Sequence, residues 1–464
     1  MASREDWCAD KLSKLLQEDL RISTLNEIKQ HLTSIPQSEA TRTADILELP
    51  LVFDCLNDSN TEQVDLACEV LSLCMNNLNL GESTSRYSVP LERALNHPYA
   101  AVKLMALNEI ERNIHKEESL RDLCKRRALL ISIVRCIGDN DIAVAKKASD
   151  IITVVGLSSI GLKIITSDVI TELQEVMAIN EVDRLRVYEI IINISKESEI
   201  NFNVLKSTGI ISQILDELNS TDILLRLNVV ELLTQLGLSL HGYIYLEQTG
   251  VLSKLFAYID DNEDPVVVQL HLKIFGHMSH WKPIELLSKH PKLFDRLFSN
   301  IESSDLTIVG VSLDTLGIIG LSNEGKCSLL ASGNKISYAI KTIVKLLTSY
   351  PTEVRVRALS CLENLLRVEE LKTDIIQITR KWYGLFGDDP MELVLRYAKN
   401  PFTEIRLAGL GLLHAIAEHQ WGQEEIKSTP GLVEFLLDRT VETNKQCKEL
   451  KYEIVKILAE STIF

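Results

Sequence analysis

The chain has 464 residues, of which 45% are hydrophobic, and it carries a formal net charge of −16 at pH 7 with a sequence pI near 5.2. This acidic balance argues against a general binder of nucleic acid or anionic membranes, because phosphate binding requires a basic surface, and it favours a basic partner. The 20 glycines, the 11 prolines and the scarcity of alternating β-branched residues argue against a β-sandwich or a doubly wound sheet and favour an all-α protein.

Residues 1–90 are predicted to form two irregular helical pairs, a capping repeat and a divergent repeat, with a polar break over 81–90. The N-terminus lacks the apolar core of a signal peptide, and no window approaches the roughly 18 uninterrupted apolar residues of a membrane span. The nine cysteines are scattered and odd in number, which is typical of a reducing compartment. We therefore expect a cytosolic protein without a membrane contact, and the nucleus is the alternative location.

From residue 91 onward, an amphipathic helix recurs at a regular interval. We take as its anchor the apolar residue that opens each copy, a slot that Asp183 fills in one copy. Successive anchors are 42, 39, 42, 42, 41, 46, 51 and 45 residues apart, close to the roughly 40 to 47 residues of HEAT and armadillo repeats. Apolar residues at +4, +7, +8 and +11, as in Val229, Leu232, Leu233 and Leu236, give the period of a buried helix face. The anchors are Val102, Val144, Asp183, Leu225, Val267, Ile308, Val354, Ile405 and Leu450.

A turn built from acids, Asn or Pro precedes the anchors, and a basic residue follows most of them. Examples of the turn are DND at 139–141, TD at 221–222, NEDP at 262–265 and SD at 304–305. An Asp in this turn can cap the helix that follows, and it can also pair with a neighbouring basic side chain. We expect the basic column to tether one repeat to the next; it consists of Lys103, Arg184, Arg226, Arg355, Arg406 and Lys451.

The repeats are predicted to stack into one continuous armadillo/HEAT-like solenoid, a superhelix with three regions. Residues 1–90 form the N-terminal cap and the divergent repeat, residues 91–320 form regular repeats, and residues 321–464 form less regular repeats. The longer spacings near the C-terminus predict insertions near 323–334 and near 381–393, where Gly384, Gly387 and Pro390 interrupt the helix. A solenoid grows by adding repeats, so these regions do not need independent cores.

Two motifs imitate chemical sites. GLSNEGKC at 320–327 matches a phosphate loop, but Cys327 stands where Ser or Thr must bind magnesium, and the motif follows a helix instead of a strand. His271, His277 and His280 are close in sequence, but no Cys or Asp nearby completes the three or four ligands that zinc requires. The sequence also lacks a serine elbow and a pair of catalytic carboxylates. It therefore predicts a protein that is not an enzyme and that needs no cofactor or metal.

Polar residues recur at +3, +6 and +10 from the anchor, positions that share one face of a helix. In solenoids of this kind the last helix of each repeat lines the inner surface, so these residues predict a polar ladder along a concave groove. Acids dominate the +6 column, with Lys273 as the exception, and amides of the +10 column can hydrogen-bond exposed backbone. A merely solvated helix face is the alternative interpretation. The predicted partner-binding residues are Asp150, Arg186, Glu189, Asn193, Asn228, Glu231, Gln235, Lys273, His277, Asp314, Arg357 and Asn364.

Four segments carry a resemblance to a known family. They are VRCIGDNDIAVAKKASD (134–150), RLRVYEIIINIS (184–195), VSLDTLGIIGLSNEGK (311–326) and TPGLVEFLLDRTVETNKQCKELKYEIVKIL (429–458). In this order along the chain they resemble the 26S proteasome non-ATPase regulatory subunit 5 family, whose members are assembly chaperones of the proteasome regulatory particle. The resemblance covers nearly the whole chain in one register, and it is weakest over the N-terminal 90 residues.

The resemblance implies an armadillo/HEAT solenoid that binds the C-terminal domain of ATPase 1, an AAA-ATPase subunit of the regulatory particle. The bound chaperone is expected to lie near ATPase 2 and the largest scaffold subunit of the base. It is expected to help to build the base, to block premature docking on the core particle, and to be absent from the finished proteasome. The resemblance supplies no residue-level motif for these contacts. We expect the free protein to be a monomer.

The residues themselves leave two other functions open. The first is an armadillo-type nuclear-transport or trafficking adaptor that binds an extended basic peptide. Such an adaptor is expected to carry a regular array of Trp and Asn on its inner helices, but Trp7, Trp281, Trp382 and Trp421 all miss the +6 and +10 columns. The second is a general protein-interaction scaffold with several partners, because a solenoid leaves its convex face free.

Overall fold

The computed structural model describes residues 4–260, 265–438, 440 and 442–463. The regular structure in these ranges is helical throughout, and they contain no strand. The chain divides into two compact units, Met1–Leu236 and Gly237–Phe464. This architecture confirms the all-α prediction, while the boundaries at residues 90 and 320 stay predictions. The turn residues 262–264 of the NEDP segment lie outside the described residues, as do the side chains of Val267 and His271.

The first unit is a stack of short and medium helices in chain order. These helices are α1 (Arg4–Leu15), α2 (Arg21–Ser34), α3 (Gln37–Ile46), α4 (Leu49–Asp54), α5 (Thr61–Asn76), α6 (Glu82–Arg86), α7 (Ser88–Leu95), α8 (Ala100–Ile114), α9 (Glu117–Lys125), α10 (Arg127–Arg135), α11 (Ile142–Leu157), α12 (Ser159–Ile164), α13 (Ile170–Ile179), α14 (Glu181–Ser195), α15 (Glu199–Lys206), α16 (Ile210–Asp216) and α17 (Ile223–Gly237). A π-helical segment, Ile165–Val169, joins α12 to α13.

The second unit has the same construction. Its helices are α18 (Leu240–Gln248), α19 (Val251–Asp260), α20 (Pro265–Ser279), α21 (Pro283–Lys289), α22 (Pro291–Asn300), α23 (Leu306–Leu321), α24 (Asn323–Ala331), α25 (Asn334–Ser349), α26 (Thr352–Leu366), α27 (Thr373–Tyr383), α28 (Pro390–Ala398), α29 (Thr403–Ala417), α30 (Gln420–Ser428), α31 (Leu432–Leu437) and α32 (Lys445–Ala459).

From α6 onward the helices form triplets, and the third helix of each triplet is the one that the anchors predicted. These third helices are α8, α11, α14, α17, α20, α23, α26, α29 and α32. In the first unit α8 packs on α11 and α11 on α14, and in the second unit α20, α23, α26, α29 and α32 pack in series. Three helices per repeat, with third helices stacked on one another, are typical of the armadillo/HEAT-like fold, so that prediction is confirmed.

The core of each unit is built from the apolar faces of the third helices. The anchors Val102, Val144 and Ile405 are at most 1% exposed. Asp141 and Asp305 accept hydrogen bonds from backbone N–H groups in the first turns of α11 and α23 and so cap these helices, as their place in the acidic turns predicts. The capping residue lies three residues before the anchor in these helices, and this interval fixes the register of the repeat.

The last anchor was wrong. In α32 the side chain of Asn444 accepts a hydrogen bond from Cys447 N, and Cys447 is fully buried, whereas Leu450 is only half-buried. Cys447 is therefore the anchor, and it lies 42 residues after Ile405, the ordinary repeat length. Lys451 consequently leaves the basic column: it is buried, and its Nζ donates a hydrogen bond to Asp438 O at 2.9 Å.

The structure places irregular segments differently from the sequence analysis. The predicted polar break at 81–90 contains the whole of α6 and the start of α7. The extra residues before Val354 lie in α25, which has 16 residues where α22 has ten, and 323–334 holds an ordinary nine-residue helix. The interruption near 381–393 is confirmed, because a 3-10 turn at Gly384–Phe386 and Gly387 at φ 144° separate α27 from Pro390.

Three residues of the basic column tie their repeat to the turn that precedes the next third helix. Lys103 pairs with Asp139, Arg184 Nε lies 3.1 Å from Glu217 Oε1, and Arg406 Nε lies 2.8 Å from Glu442 Oε2. These pairs confirm the predicted tethers. The capping and pairing roles belong to different acids of one turn, since Asp141 caps α11 while Asp139 pairs. Arg355 departs from the pattern: its Nε donates to Tyr350 O within its own turn.

A Ser-x-x-Gly turn begins the first helix of several triplets. The Oγ atoms of Ser158, Ser239 and Ser322 accept hydrogen bonds from the backbone N–H three residues later, at 3.0, 3.2 and 3.0 Å. A Cβ atom on Gly325 would lie 1.8 Å from Ile319 O, so only glycine lets this turn pack against the end of the preceding third helix.

This turn accounts for the GLSNEGKC motif. Lys326 is fully buried, and its Nζ donates to the carbonyls of Gly320 and Leu321 at the end of α23. A phosphate-loop lysine must instead extend toward bound phosphate. The segment is a repeat turn whose lysine caps a helix, as the mismatch at Cys327 and the preceding helix indicated.

Candidate protein-binding site

Four of the twelve predicted ladder residues line one cleft between α11 and α14 in the first unit. Asp150, Arg186, Glu189 and Asn193 border this open cleft, which has a volume of about 240 Å³. Its remaining lining residues are Ile142, Lys146, Ser149, Thr153 and Ile190. The spacing of +3, +6 and +10 therefore places these side chains on a common face, as the helical period predicts.

The charges that remain available in the cleft are mainly negative. Asp150 and Glu189 are exposed, and no ion pair among the described residues includes either of them. Lys146 is the exposed basic residue beside them, while Lys147 is already paired with Glu111 at 2.7 Å. Exposed, unpaired carboxylates at the mouth of a cleft attract and orient basic groups of a partner.

Arg186 is a tether as well as a lining residue. It donates to Ile137 O at 2.9 Å and Asp139 O at 3.2 Å in the preceding repeat, and it pairs with Asp183 at 2.9 Å. Asn180 Nδ2 donates to the other carboxylate oxygen of Asp183 at 2.7 Å. A buried carboxylate is acceptable when it is paired and hydrogen-bonded, which explains why Asp183 occupies an anchor slot. The charge of Arg186 is balanced inside the protein.

The remaining ladder residues of the first unit lie on α17. Asn228 is exposed, and Glu231 and Gln235 are half-buried. In the second unit, Lys273 is exposed and His277 is half-buried on α20. The structure thus leaves a polar side chain accessible at each of these predicted positions.

Asp314 and Arg357 form a pair across two third helices of the second unit. Arg357 Nη1 lies 3.1 Å from Asp314 Oδ2, and its Nη2 lies 3.0 Å from Glu353 Oε1. Partial removal from water raises the pKa of Asp314, and the Arg357 guanidinium opposes this shift. Glycines on α23 leave space for the ladder residues Arg357 and Asn364 on α26. A Cβ on Gly310 would lie 2.8 Å from Arg357 Nη1, and one on Gly317 would lie 3.2 Å from Asn364 Nδ2.

Both ladder arginines, Arg186 and Arg357, are therefore engaged within the protein. The sequence pattern does not distinguish such engaged side chains from free ones.

The sequence analysis also missed exposed apolar residues at the starts of third helices. Ile142, which opens α11 and lines the cleft, is 75% exposed. The signal was present in the sequence as an apolar residue directly after the capping acid, for example Asp141-Ile142 and Asp222-Ile223.

The described residues contain no group of three or more His, Cys, Asp or Glu side chains arranged to hold a metal ion. Within the same part of the chain, no single helix combines the length and hydropathy of a membrane span. Two pairs of helices reach that length and composition only when they are counted together across a sharp bend.

Stacked third helices with a polar, mainly acidic face define a helical-repeat protein of the kind that binds other proteins. A family model described as "Proteasome non-ATPase 26S subunit" matches residues 4–463, and the chain belongs to this family. The resemblance found in the sequence is thereby confirmed, and it associates the protein with the proteasome.

Proteins with similar sequences carry one name. A Bos taurus protein named "26S proteasome non-ATPase regulatory subunit 5" is 32% identical over 458 residues, which are 96% of this chain and 91% of the relative. The Homo sapiens protein of the same name is 31% identical over 459 residues, with the same coverage of both chains. These relatives are regulatory subunits by name, and a helical-repeat fold is typical of proteins that are not enzymes.

Solved structures show more distant similarity. The crystal structure of Kap121p, a karyopherin, has a TM-score of 0.48 and 13% identity, and the match covers 95% of this chain and 46% of that one. An engineered protein has a TM-score of 0.42 and 15% identity, with coverage of 99% and 100%.

Proposed function

We propose that this protein is an assembly chaperone of the proteasome regulatory particle. It binds the C-terminal domain of ATPase 1, near ATPase 2 and the largest scaffold subunit of the base, and it blocks premature association with the core particle. The observation that carries the proposal is the acidic cleft between α11 and α14 in a chain that belongs to a proteasome non-ATPase subunit family. The proposed site is the ladder of twelve residues, and the proposed location is the cytoplasm, with the nucleus as the alternative.

The chemistry of the face supports a reversible complex with a folded, partly basic domain. Most of its accessible residues are carboxylates and amides, and interfaces between partners that separate again are more polar than obligate ones. Carboxylates such as Asp150 and Glu189 accelerate the encounter with a basic surface and fix its orientation. Such a complex forms during assembly and releases when later subunits compete for the same surface.

The blocking step needs no chemistry beyond occupied volume. A chain of 52.2 kDa bound to the C-terminal domain of one ATPase fills space next to it and prevents a large particle from docking there. Steric exclusion of this kind ends when the chaperone dissociates, so the proposal requires neither a cofactor nor a catalytic residue.

The test is calorimetric binding of the full chain to the isolated C-terminal domain of ATPase 1, with a basic nuclear-import peptide as the second ligand. The proposal expects binding of the ATPase domain and no measurable binding of the peptide. Binding of the peptide alone would replace the chaperone with an adaptor. The burial of two tryptophans already argues against the adaptor, because Trp382 and Trp421 cannot contribute to a peptide-binding array on the surface.

The blocking step has its own measurement. A base subcomplex that contains ATPase 1 is mixed with core particle, with and without saturating protein, and docking is followed by native electrophoresis. The proposal expects docking to decrease as the protein is added. Unchanged docking at saturation would contradict the blocking mechanism, while binding to the ATPase domain would still stand.

A further inference from the structure

An aspartate on one third helix and an arginine on the next occupy the same repeat positions in both units. Asp150 of α11 and Asp314 of α23 are both at +6 from their anchors. Arg186 of α14 and Arg357 of α26 are both at +3 on the third helix that follows. Equivalent positions of a repeat lie at equivalent points of its structure, so each arginine has a ladder aspartate as a potential partner.

In the second unit this ion pair is formed. Arg357 Nη1 lies 3.1 Å from Asp314 Oδ2, and Arg357 Nη2 lies 3.0 Å from Glu353 Oε1. The guanidinium fits because Gly310 lies beside it on α23: a Cβ there would lie 2.8 Å from Nη1 and 3.2 Å from Cδ of Arg357. The carboxylate of Asp314 is therefore already neutralised by an arginine of the protein itself.

In the first unit the pair is not formed, although Arg186 and Asp150 line one cleft. Arg186 Nη1 instead lies 2.9 Å from Asp183 Oδ1. The same nitrogen donates hydrogen bonds to Ile137 O at 2.9 Å and to Asp139 O at 3.2 Å, both in the preceding repeat. These charge-assisted contacts hold the guanidinium at the turn. Asp150 is exposed, and no ion pair among the described residues includes it.

The residue in the anchor slot accounts for the different contacts. Val354 is the anchor three residues before Arg357, and its side chain accepts no hydrogen bond. The same slot before Arg186 holds Asp183, and residues three apart are neighbours on a helix surface. Asp183 is 3% exposed, and its other oxygen accepts a hydrogen bond from Asn180 Nδ2 at 2.7 Å. Because a buried carboxylate without its partner is costly, Asp183 keeps Arg186 beside it.

A second difference acts in the same direction. Gly310 is at +2 from the anchor of α23, and the +2 position of α11 holds Lys146. Lys146 is exposed and lines the cleft. The helix α11 therefore carries a side chain at the point where α23 leaves space for the Arg357 guanidinium. Asp183 attracts the arginine to the turn, and Lys146 restricts the space beside the aspartate.

We propose that Asp183, supported by Lys146, is a positioning residue of the acidic cleft. It holds Arg186 at the preceding turn and so leaves Asp150 available to a basic group of the partner. The second unit shows the closed alternative, in which an internal arginine takes the place of that basic group. The inference rests on the proposed function, because it assigns the basic group to the C-terminal domain of ATPase 1.

The first test determines where Arg186 lies when the first unit carries the residues of the second unit. The closed variant, Lys146→Gly with Asp183→Val, introduces the glycine of α23 and the valine of α26 and leaves the net charge unchanged. Its crystal structure is expected to show an Arg186 nitrogen within about 4 Å of an Asp150 oxygen, the distance of an ion pair. An Arg186 that stays at the turn would overturn the inference.

The second test measures binding of the full chain to the isolated ATPase domain by calorimetry. The closed variant is expected to bind about tenfold more weakly, because Arg186 then competes with the basic group of the partner for Asp150. Lys146→Gly alone is the control: it has the same glycine but keeps Asp183, and it is expected to bind at least as tightly as the unchanged chain. Circular dichroism establishes that the variants fold. If the valine variant does not fold, Lys146→Gly with Asp183→Asn, which keeps the shape of the side chain, takes its place.

Removal of the arginine distinguishes positioning from a purely structural role. Arg186→Gln, added to the closed variant, is expected to regain the lost affinity, because no internal guanidinium then competes for Asp150. A structural role of Asp183 predicts no recovery, since the buried aspartate is still missing. An affinity that stays as low as in the closed variant would therefore overturn the inference.

The outcomes separate the two proposals. If the unchanged chain binds the ATPase domain and the closed variant binds equally well, the inference is wrong and the proposed function stands. If the control loses as much affinity as the closed variant, the glycine causes the loss and the inference is also overturned. If the unchanged chain does not bind the ATPase domain, the proposed function fails, and the position of Arg186 in the crystal structure of the closed variant still decides whether Asp183 positions it.

Discussion

Glu109 is a charged residue in the core of the first unit, and its carboxylate is fully engaged. Its side chain is 3% exposed, and it accepts hydrogen bonds from Ser83 Oγ, from Asn113 Nδ2 at 2.8 Å and from Arg112 at 2.7 and 3.0 Å. Arg112 also donates to Met75 O at the end of α5. The network joins α5, α6 and α8, so it links the divergent N-terminal repeat to the regular ones.

Removal of this carboxylate leaves the Ser83 hydroxyl without its acceptor and the largely buried Arg112 guanidinium without its ion-pair partner. We expect Glu109→Ala to lower the free energy of unfolding by about 3 to 5 kcal/mol, because breaking a buried pair costs far more than breaking an exposed one. Glu111→Ala on the same helix removes a partly exposed pair with Lys147 and is expected to cost less than about 1 kcal/mol. Urea unfolding of both variants measures the difference, and equal losses would refute the network.

Lys326 is a second buried charge, and it makes stability depend on pH. Burial lowers the pKa of Lys326 to about 8, although the carboxylates of Glu369 and Glu418 oppose the shift. Below that pH the lysine is protonated in both the folded and unfolded states. Between about pH 8 and 10.5 the unfolded state holds a proton that the folded state has released. The contribution of Lys326 to the free energy of unfolding therefore rises with pH over this range.

The measurement compares the unchanged chain with Lys326→Met between pH 8 and 10.5, because titrations shared by both proteins cancel in the difference. The unchanged chain is expected to gain about 2 to 3 kcal/mol relative to the variant over this range. Lys335→Met serves as the control, since Lys335 is exposed beside Asp295. A difference that stays flat or falls with pH for Lys326→Met would contradict the burial of the charge.

The Ser-x-x-Gly turn sets how closely the first helix of a triplet approaches the preceding third helix. We expect Gly325→Ala to destabilise the protein by about 2 kcal/mol or more, because its Cβ would lie 1.8 Å from a backbone oxygen that cannot move aside cheaply. Gly384→Ala is the matched control: Gly384 has φ −61° and no atom within 4 Å of its Cβ position. Thermal unfolding compares the two, and similar melting temperatures would contradict the steric argument.

At the scale of elements, the positions of the third helices could be predicted from the sequence because two local signals agree. A buried helix face has a period that can be read from the residues, and the capping acid three residues before the anchor fixes its register. The predicted register is wrong at Leu450, because the helix is capped at Asn444 and the residue three positions after that cap is Cys447. The Ser-x-x-Gly turn was missed because its glycine is required by a neighbouring helix, which a single motif does not reveal.

The candidate site was predictable only in part, for a physical reason. Helical spacing places Asp150, Glu189 and Asn193 on one face, and the structure brings them to one cleft. Spacing does not tell which polar residues are already used, and Arg186 and Arg357 are bound to groups from neighbouring repeats. These contacts join residues more than 40 positions apart in sequence, as with Arg186 and Ile137 at a separation of 49, so a local pattern does not contain them.

At the scale of the whole molecule, the net charge of −16 and the acidic cleft act in the same direction. A negative protein attracts a basic partner over roughly 8 to 10 Å at physiological ionic strength, and close contact with specific carboxylates then sets the orientation. We expect the second effect to occur at the cleft between α11 and α14. The test compares two variants whose net charge changes by the same amount, one altered at the cleft and one altered elsewhere.

The most direct measurement is the dissociation constant for the isolated C-terminal domain of ATPase 1 with two charge-reversed variants of the full chain. Asp150→Lys with Glu189→Lys changes the cleft, while Glu175→Lys with Glu197→Lys changes two exposed acids elsewhere in the first unit by the same charge. We expect the cleft variant to bind at least about tenfold more weakly and the affinity of the control to change little. Equal weakening of both, or no weakening of the cleft variant, would contradict it.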